Sequence, residues 1–457
     1  MSWTIVRHEW TLLRRAPVTW WAAGLLLIAS IYALAGGLAW HGARSLETSA
    51  TLDEAATRLA AQQASSATDD SGGPVGGART FAALPPGPLA VFSVGLADLL
   101  PERAEISIWK RPDTLFGRYQ LESPLSLLVG RFDLSFVVLY LLPLFVLALS
   151  YDLLASDRES GRLAMLLMQP VSLKQLLTAK LLARLLPVTA FLMLVVGAGG
   201  VAAGLPVSAL PRLAGWLVIA WLYGVFWLAA CGLVAAFTRR SETCAATLAA
   251  VWLVVVLVLP GLLDIGVRTS SPVPSRLAYV TAMRAASSEA SQASAELLAR
   301  YYHEHPELAG NGRQDGFLPG YYAAERDVER RLEPLIADFE HRLGRQQALV
   351  ERWRFASPAV LAQEALIEIA GSSLARHHRF GGQARAFLAE WHAQLAPRIF
   401  LGEGLAPEDY ESLPRFTFAE PPVSRRRFAG AVFGLALPSF LGLALARRRL
   451  DRWAVTS

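Results

Sequence analysis

Six stretches of this chain are apolar for long enough to cross a lipid bilayer, and no other feature limits its fold as tightly. A spanning helix needs roughly 20 predominantly apolar residues. Inside hydrocarbon, only helices and closed barrels satisfy every backbone polar group. The runs 17–40, 132–154, 181–205, 213–237, 245–265 and 428–446 meet the requirement, with no charge at mid-depth. Asp133, Asp152 and Asp264 fall at their ends, where headgroups and water reach them. The composition agrees: 53% hydrophobic and 18% charged, with a mean hydropathy of +0.36, where soluble chains run near a quarter charged. The expected fold class is all-α, a polytopic membrane protein with about six transmembrane helices and a large, mainly helical extracytoplasmic insertion. The first run is too long for the apolar core of a signal peptide, which spans about 7–15 residues, so it reads as an uncleaved helix.

Orientation follows from arginine and lysine in the short flanks. With the N-terminus in the cytoplasm, the cytoplasmic pieces are 1–16, the loop 155–180 with its flank Arg184, the turn 238–243 and the tail 447–457. These hold Arg7, Arg14, Arg15, Arg158, Arg162, Lys174, Lys180, Arg184, Arg239, Arg240, Arg447, Arg448, Arg449 and Arg452, with far fewer acids. Both termini are then cytoplasmic, and a bacterial inner membrane is the expected location. Arg425, Arg426 and Arg427 sit on the other side, which a long translocated segment tolerates. The net charge of +5 is accounted for by these flanks, so nucleic acid is not expected as a partner.

Two segments are left outside the membrane. The first, 41–131, opens as helix (Leu52, Ala56, Leu59 and Gln63 keep helical spacing), passes a glycine-rich linker at 71–77, and reaches an apolar run at 89–100. That run is too short to span; lying in the interface, re-entering and packing on the outer domain are the options open to it, and packing is the expected one. The second, 266–427, is domain-sized. Val328, Leu332, Leu335, Ile336, Phe339, Leu343 and Leu349 form one apolar stripe on a long helix over 321–355. Shorter helices are expected at 361–374 and 384–395, with turns at Gly310-Asn311-Gly312 and Gly381-Gly382, and strand-like alternation is scarce.

Catalytic chemistry is not visible. A P-loop needs a lysine followed by Ser or Thr after a glycine-bounded loop. The three lysines, Lys110, Lys174 and Lys180, are followed by Arg, Gln and Leu. There is no Gly-x-Ser-x-Gly elbow and no His-Glu-x-x-His zinc helix. Cys231 and Cys244 fall within or beside spans, which offers no disulfide framework. His303-Glu304-His305 and His377-His378 lack a complete ligand set. No catalytic, cofactor-binding or metal residue is therefore expected. The spans also lack the buried ionisable residues of ion-coupled carriers, so energy must come from another chain.

The stretch from Ser156 to Lys180 carries the most information. It reads as a charged turn (Asp157, Arg158, Glu159), then Gly161, then a short helix with Leu163, Leu166 and Leu167 on one face, then a stop at Pro170. A short amphipathic helix beside a membrane suits docking into a partner's groove. The stretch resembles the loop of ABC-2-type transporter permeases, where a charged residue, Glu, any residue, Gly, Thr and Leu precede Leu-Leu, Pro-Val/Ile-Ser/Thr and a Lys opening the next helix. Glu159, Gly161, Leu163, Leu166, Leu167, Pro170, Val171, Ser172 and Lys180 match, and Arg162 stands where Thr is usual. Arg7, Glu9 and Arg14 resemble the family's segment along the cytoplasmic interface. The six-span frame is similar too, within a subgroup whose outer domain has no assigned function.

The resemblance implies a permease subunit of an ATP-binding-cassette exporter. It would pair with a second copy or a sister permease, with separate ATPase subunits holding ATP and magnesium beneath. The Leu face of the loop would enter an ATPase groove, with Arg158 or Glu159 at its rim. Two other classes stay open: ATP-driven transmission of motion to the outer domain, and a membrane assembly scaffold without an ATPase.

Overall fold

The computed structural model describes residues 3–68, 72–95, 97–116, 131–169, 172–272, 276–308 and 317–453. Six helices are long and apolar enough to cross a membrane: Pro17–Ser66, Leu134–Glu159, Leu173–Ala202, Val207–Phe237, Ser241–Ser270 and Arg425–Asp451, here spans 1 to 6. The chain is an all-α, polytopic membrane protein. Among the described residues the one sheet is an antiparallel pair, β1 (Arg79–Ala83) with β2 (Arg103–Ser107), in which Thr80 faces Ile106. Its signal is a short alternation: Ala104, Ile106 and Ile108 are buried while Arg103 and Glu105 are not.

Span 4 is the axis of the bundle. Trp216, Ile219, Ala220, Tyr223 and Trp227 are fully enclosed, and spans 2 and 3 pack against it in one apolar cluster. Spans 2 and 5 each contain a π turn, at Val137–Leu141 and Val254–Val258. Pro143 and Pro260 follow within two residues of them. A proline lacks the N–H that the carbonyl four residues back requires and pushes its ring against it. The Leu139 carbonyl, four residues before Pro143, instead accepts the Tyr223 hydroxyl at 3.1 Å. Span 3 starts at a capping box, with Ser172 accepting from the Gln175 N–H and Gln175 accepting from the Ser172 N–H.

The N-terminal helix, Trp3–Arg15, and the C-terminal end of span 6 lie on the same face as the loop between spans 2 and 3. Glu9 pairs with Lys180 there, and Asp451 pairs with Lys174. This is the loop face. The other end of the bundle carries the described residues of 67–133 and 271–424, the insertion face.

Several sequence expectations shift. The helix expected to end near residue 40 continues unbroken to Ser66, for 50 residues or about 75 Å. No proline lies between Trp40 and Ser66, and the single glycine there, Gly42, does not interrupt the helix, so the amphipathic stretch through Leu59 is an extension of span 1 and enters the insertion core. Gly381 and Gly382 form no turn; they lie inside the helix Leu374–Leu401. The helix expected at 361–374 is Pro358–Ala370, ended by Gly371 at φ 77, a left-handed conformation open to glycine. Gly310-Asn311-Gly312 lies outside the described residues.

The apolar run near residue 89 differs most from expectation. Leu89 and Phe92 belong to the core of the spans, not to that of the insertion. Gly37 of span 1 passes so close to the Val91 carbonyl that no side chain fits there. Phe92 packs on Trp216 of span 4 with ring centroids 5.6 Å apart, and Gly199 of span 3 leaves room for its ring. The Val94 N–H donates to the Asp133 carboxylate at 2.9 Å, and the Ser135 N–H of span 2 donates to the Phe92 carbonyl. The helix Pro358–Ala370 joins this turn, since the Leu89 N–H donates to the Ala370 carbonyl at 3.1 Å and the Ser372 hydroxyl to the Ser93 carbonyl at 2.6 Å. Leu361 of the same helix seats against Gly434 of span 6. Two pieces of the insertion therefore fill the insertion-face end of the bundle.

Candidate functional site

The loop residues singled out by sequence meet the N-terminal helix in a buried cluster of charges. Val6, Glu9 and Leu13 form the enclosed face of the N-terminal helix, one helical stripe with a carboxylate in its middle. Lys180 and Arg184, one turn apart on span 3, point at it. The Lys180 ammonium lies 2.9 Å from Glu9 and 2.9 Å from Asp157. Arg184 lies 3.6 Å from Glu9 and 3.5 Å from Asp152, and its Nε donates to the Leu149 carbonyl at 2.6 Å. Arg162 reaches Asp157 at 3.4 Å. Three acids and three bases thus share one site in which the Lys180, Arg184 and Glu9 side chains are each at most 8% exposed. Charges taken out of water must be paired, and removing one partner strands another.

Arg158 and Glu159 serve a second junction, the turn between spans 4 and 5. An Arg158 guanidinium N–H donates to the Thr238 carbonyl at 2.6 Å, at the C-terminal end of span 4. Glu159 accepts from the Ser241 N–H at 2.8 Å and from its hydroxyl at 3.0 Å, at the N-terminal end of span 5. A cation at a helix C-terminus and an anion at an N-terminus both match the helix dipole. Each of the two residues expected at a partner's rim is thus also engaged within the chain.

Gly161 makes the corner between the helix Ala155–Glu159 and the loop helix Arg162–Leu167. Its φ is 70, and a Cβ there would touch nothing, so backbone conformation alone asks for glycine. The loop helix turns Leu163 and Leu166 inward, onto the core of the spans. Among the described side chains here, Met165 and, just past the helix end, Met168 are the exposed apolar ones, at 66% and 88%. The Leu face expected to dock outward is thus the face that holds the helix to its own bundle. Methionine suits a surface that adapts to a partner, and periodicity alone did not distinguish the two faces. The Leu167 side chain and all of Pro170 and Val171 lie outside the described residues. Arg7 and Arg14 are exposed, away from the cluster that holds Glu9. Among the described residues no group of three or more His, Cys, Asp or Glu is arranged to hold a metal ion.

On the insertion face the described helices are Arg276–Gln292, Ser294–Glu304, Phe317–Trp353, Pro358–Ala370, Leu374–Leu401 and Pro407–Ser412. All of these but Pro358–Ala370 pack around Phe380, Phe387, Trp391 and Phe400 in one core or Val328 and Leu332 in another. Residues 276–419 match a family described as "Domain of unknown function (DUF3526)". No curated protein matches the chain. The DUF3526 match takes in the helix Pro358–Ala370, which is packed into the spans. This part of the DUF3526 region is therefore built against membrane helices and is compatible with a membrane protein.

Proposed function

We propose that this chain is the permease subunit of an ATP-binding-cassette exporter, driven by separate ATPase subunits that hold ATP and magnesium. The observation that carries the reading is the loop between spans 2 and 3. It offers two exposed methionines outward, while Asp157 at its base pairs with Lys180 of span 3, which also holds Glu9 of the N-terminal helix, and Arg158 and Glu159 bind the span 4–span 5 turn. A force applied at Met165 and Met168 would reach all of these elements through short polar contacts. The loop face is cytoplasmic in this reading, both termini with it, and the membrane is a bacterial inner membrane. A second copy or a sister permease completes the transporter. The chain itself carries out no catalysis and binds no nucleic acid.

A second reading is favoured by one observation, the filling of the insertion-face end of the bundle by the 87–94 turn and the helix Pro358–Ala370. Movement of the spans would then displace the DUF3526 region, and the ATP-driven output would be motion of that domain, as a transmission or assembly device.

The test is purification of the tagged chain from native membranes in mild detergent, with its companions identified by mass spectrometry. A co-purifying ATPase that is lost on Met165→Asp/Met168→Asp supports the coupling loop. A clean complex without any nucleotide-binding protein sinks both readings and leaves a scaffold.

A further inference from the structure

Span 6 is flanked by arginine triplets at both ends, Arg425–Arg427 and Arg447–Arg449. A topological rule for positive charge explains one end at most. At the loop-face end Arg447 donates to Thr178 and Arg449 lies over the Phe237 ring. At the insertion-face end Arg427 is paired with Glu351 and Glu368, and Arg354 with Glu364. Those two arginines meet three acids, so one negative charge is left among the local pairs. Arg425 and Arg426 are exposed and make no ion pair or side-chain hydrogen bond with another described residue, and they stand at a helix N-terminus, where the helix dipole opposes cations.

Helical spacing places Arg426 over a stripe of Phe433, Leu437 and Phe440, all exposed. Seven residues separate Arg426 from Phe433, a rise of about 10 Å, which is the step from headgroup to hydrocarbon. Beside it, Phe355 rests on span 6 at Gly430 and Gly434, and Trp353 rests on span 5 at Gly266. Both rings stay partly exposed, roofing the ends of two spans with aromatic groups of the kind that settle at a membrane interface. Exposed Arg352 lies next to them.

We infer that this end of spans 5 and 6 binds the phosphate headgroup of an anionic phospholipid. Arg425 and Arg426 take the phosphate, Phe433 and Phe440 line the acyl chains, and Trp353 lies at the rim. Arg352, Arg425 and Arg426 outnumber the one local acid left unmatched, and this surplus of positive charge selects an anionic lipid over a zwitterionic one.

The full chain is placed in nanodiscs of phosphatidylcholine containing brominated phosphatidylglycerol or, at equal mole fraction, brominated phosphatidylcholine. Quenching of Trp353 is read as the difference between the wild type and Trp353→Phe. The expected result is stronger quenching by the anionic lipid, by about fivefold in apparent affinity for each arginine engaged. Arg425→Gln/Arg426→Gln abolishes the preference and Arg447→Gln/Arg448→Gln keeps it. Equal quenching by the two lipids in the wild type overturns the inference, as does a preference that survives the first variant or is lost in the second. No ATP or ATPase enters the measurement, so its outcome is independent of the transporter reading.

Discussion

Lys180 holds its ammonium 2.9 Å from the Glu9 carboxylate, joining the first helix of the chain to the start of span 3 in a site closed to water. The same ammonium reaches Asp157 of the loop. One lysine therefore fixes the position of the N-terminal helix relative to the element proposed to receive an ATPase.

Lys180→Met removes the charge that Glu9 and Asp157 share, leaving Glu9 to Arg184 at 3.6 Å and Asp157 to the exposed Arg162 at 3.4 Å. Breaking a buried pair by removing one partner costs up to about 3–5 kcal/mol, so the variant is expected to melt below the wild type in detergent. Glu9→Gln/Lys180→Met removes both partners and is expected to lose less than the sum of the single variants. A Lys180→Met protein that melts with the wild type would show that these charges are solvated.

Gly161→Ala tests the corner of the loop. No atom stands in the way of the new methyl group, so the cost is that of the left-handed backbone, about 1–2 kcal/mol. Asparagine tolerates this conformation better than alanine, so stability is expected to fall in the order Gly, Asn, Ala. Hydrogen exchange across 155–169 is the measurement, because the strain is local. Equal exchange in all three proteins would contradict the assigned corner.

The spans were legible because a bilayer imposes length and polarity together, and each run of apolar residues fell on a helix whose ends lie within eight residues of it, span 1 excepted. Glycine was misleading. Gly381 and Gly382 look like a turn, yet residues 374–401 around them favour helix strongly enough to carry both. The short run near residue 89 could not be placed because its partners, Gly37, Trp216 and Ala370, are scattered along the chain. For the loop, spacing gave the charged turn, Gly161 and the amphipathic helix. Which face looks inward was not encoded locally; it depends on the core of spans 2 to 4, against which Leu163 and Leu166 happen to be pressed. Glu9 and Lys180 each stand out in the sequence, but no periodicity links two residues so far apart.

Met165→Asp and Leu166→Asp separate docking from packing. Met165 is exposed and Leu166 packs on the bundle. Aspartate at 165 is expected to leave thermal stability within about 0.5 kcal/mol of the wild type while abolishing ATPase co-purification. Aspartate at 166 buries a charge and is expected to destabilise the loop itself. Loss of the ATPase in the second variant alone would place the docking surface elsewhere.

The last prediction concerns pH on the insertion face. Glu102 lies 3.4 Å from Arg44, which also serves Glu47 and approaches Asp98. Burial, reinforced by Glu47 and Asp98 and opposed by Arg44 and Arg376, raises the Glu102 carboxyl from 4.5 to about 7. The folded chain therefore holds this proton where the unfolded chain has released it. Stability linked to Glu102 is fully present below about 4.5, falls as pH rises through that window, and levels off above about 7, by at most about 3 kcal/mol. His377 and His392, lowered to about 4 by burial, act with the opposite sign: their contribution is lost as pH falls from about 6.5 toward 4. The raw melting curve mixes these effects, so the quantity to follow is the difference between wild type and Glu102→Gln. That variant is expected to match the wild type near pH 4.5 and to melt higher at pH 8. A difference that does not change with pH would show that Glu102 is solvated and that Arg44 alone governs its charge.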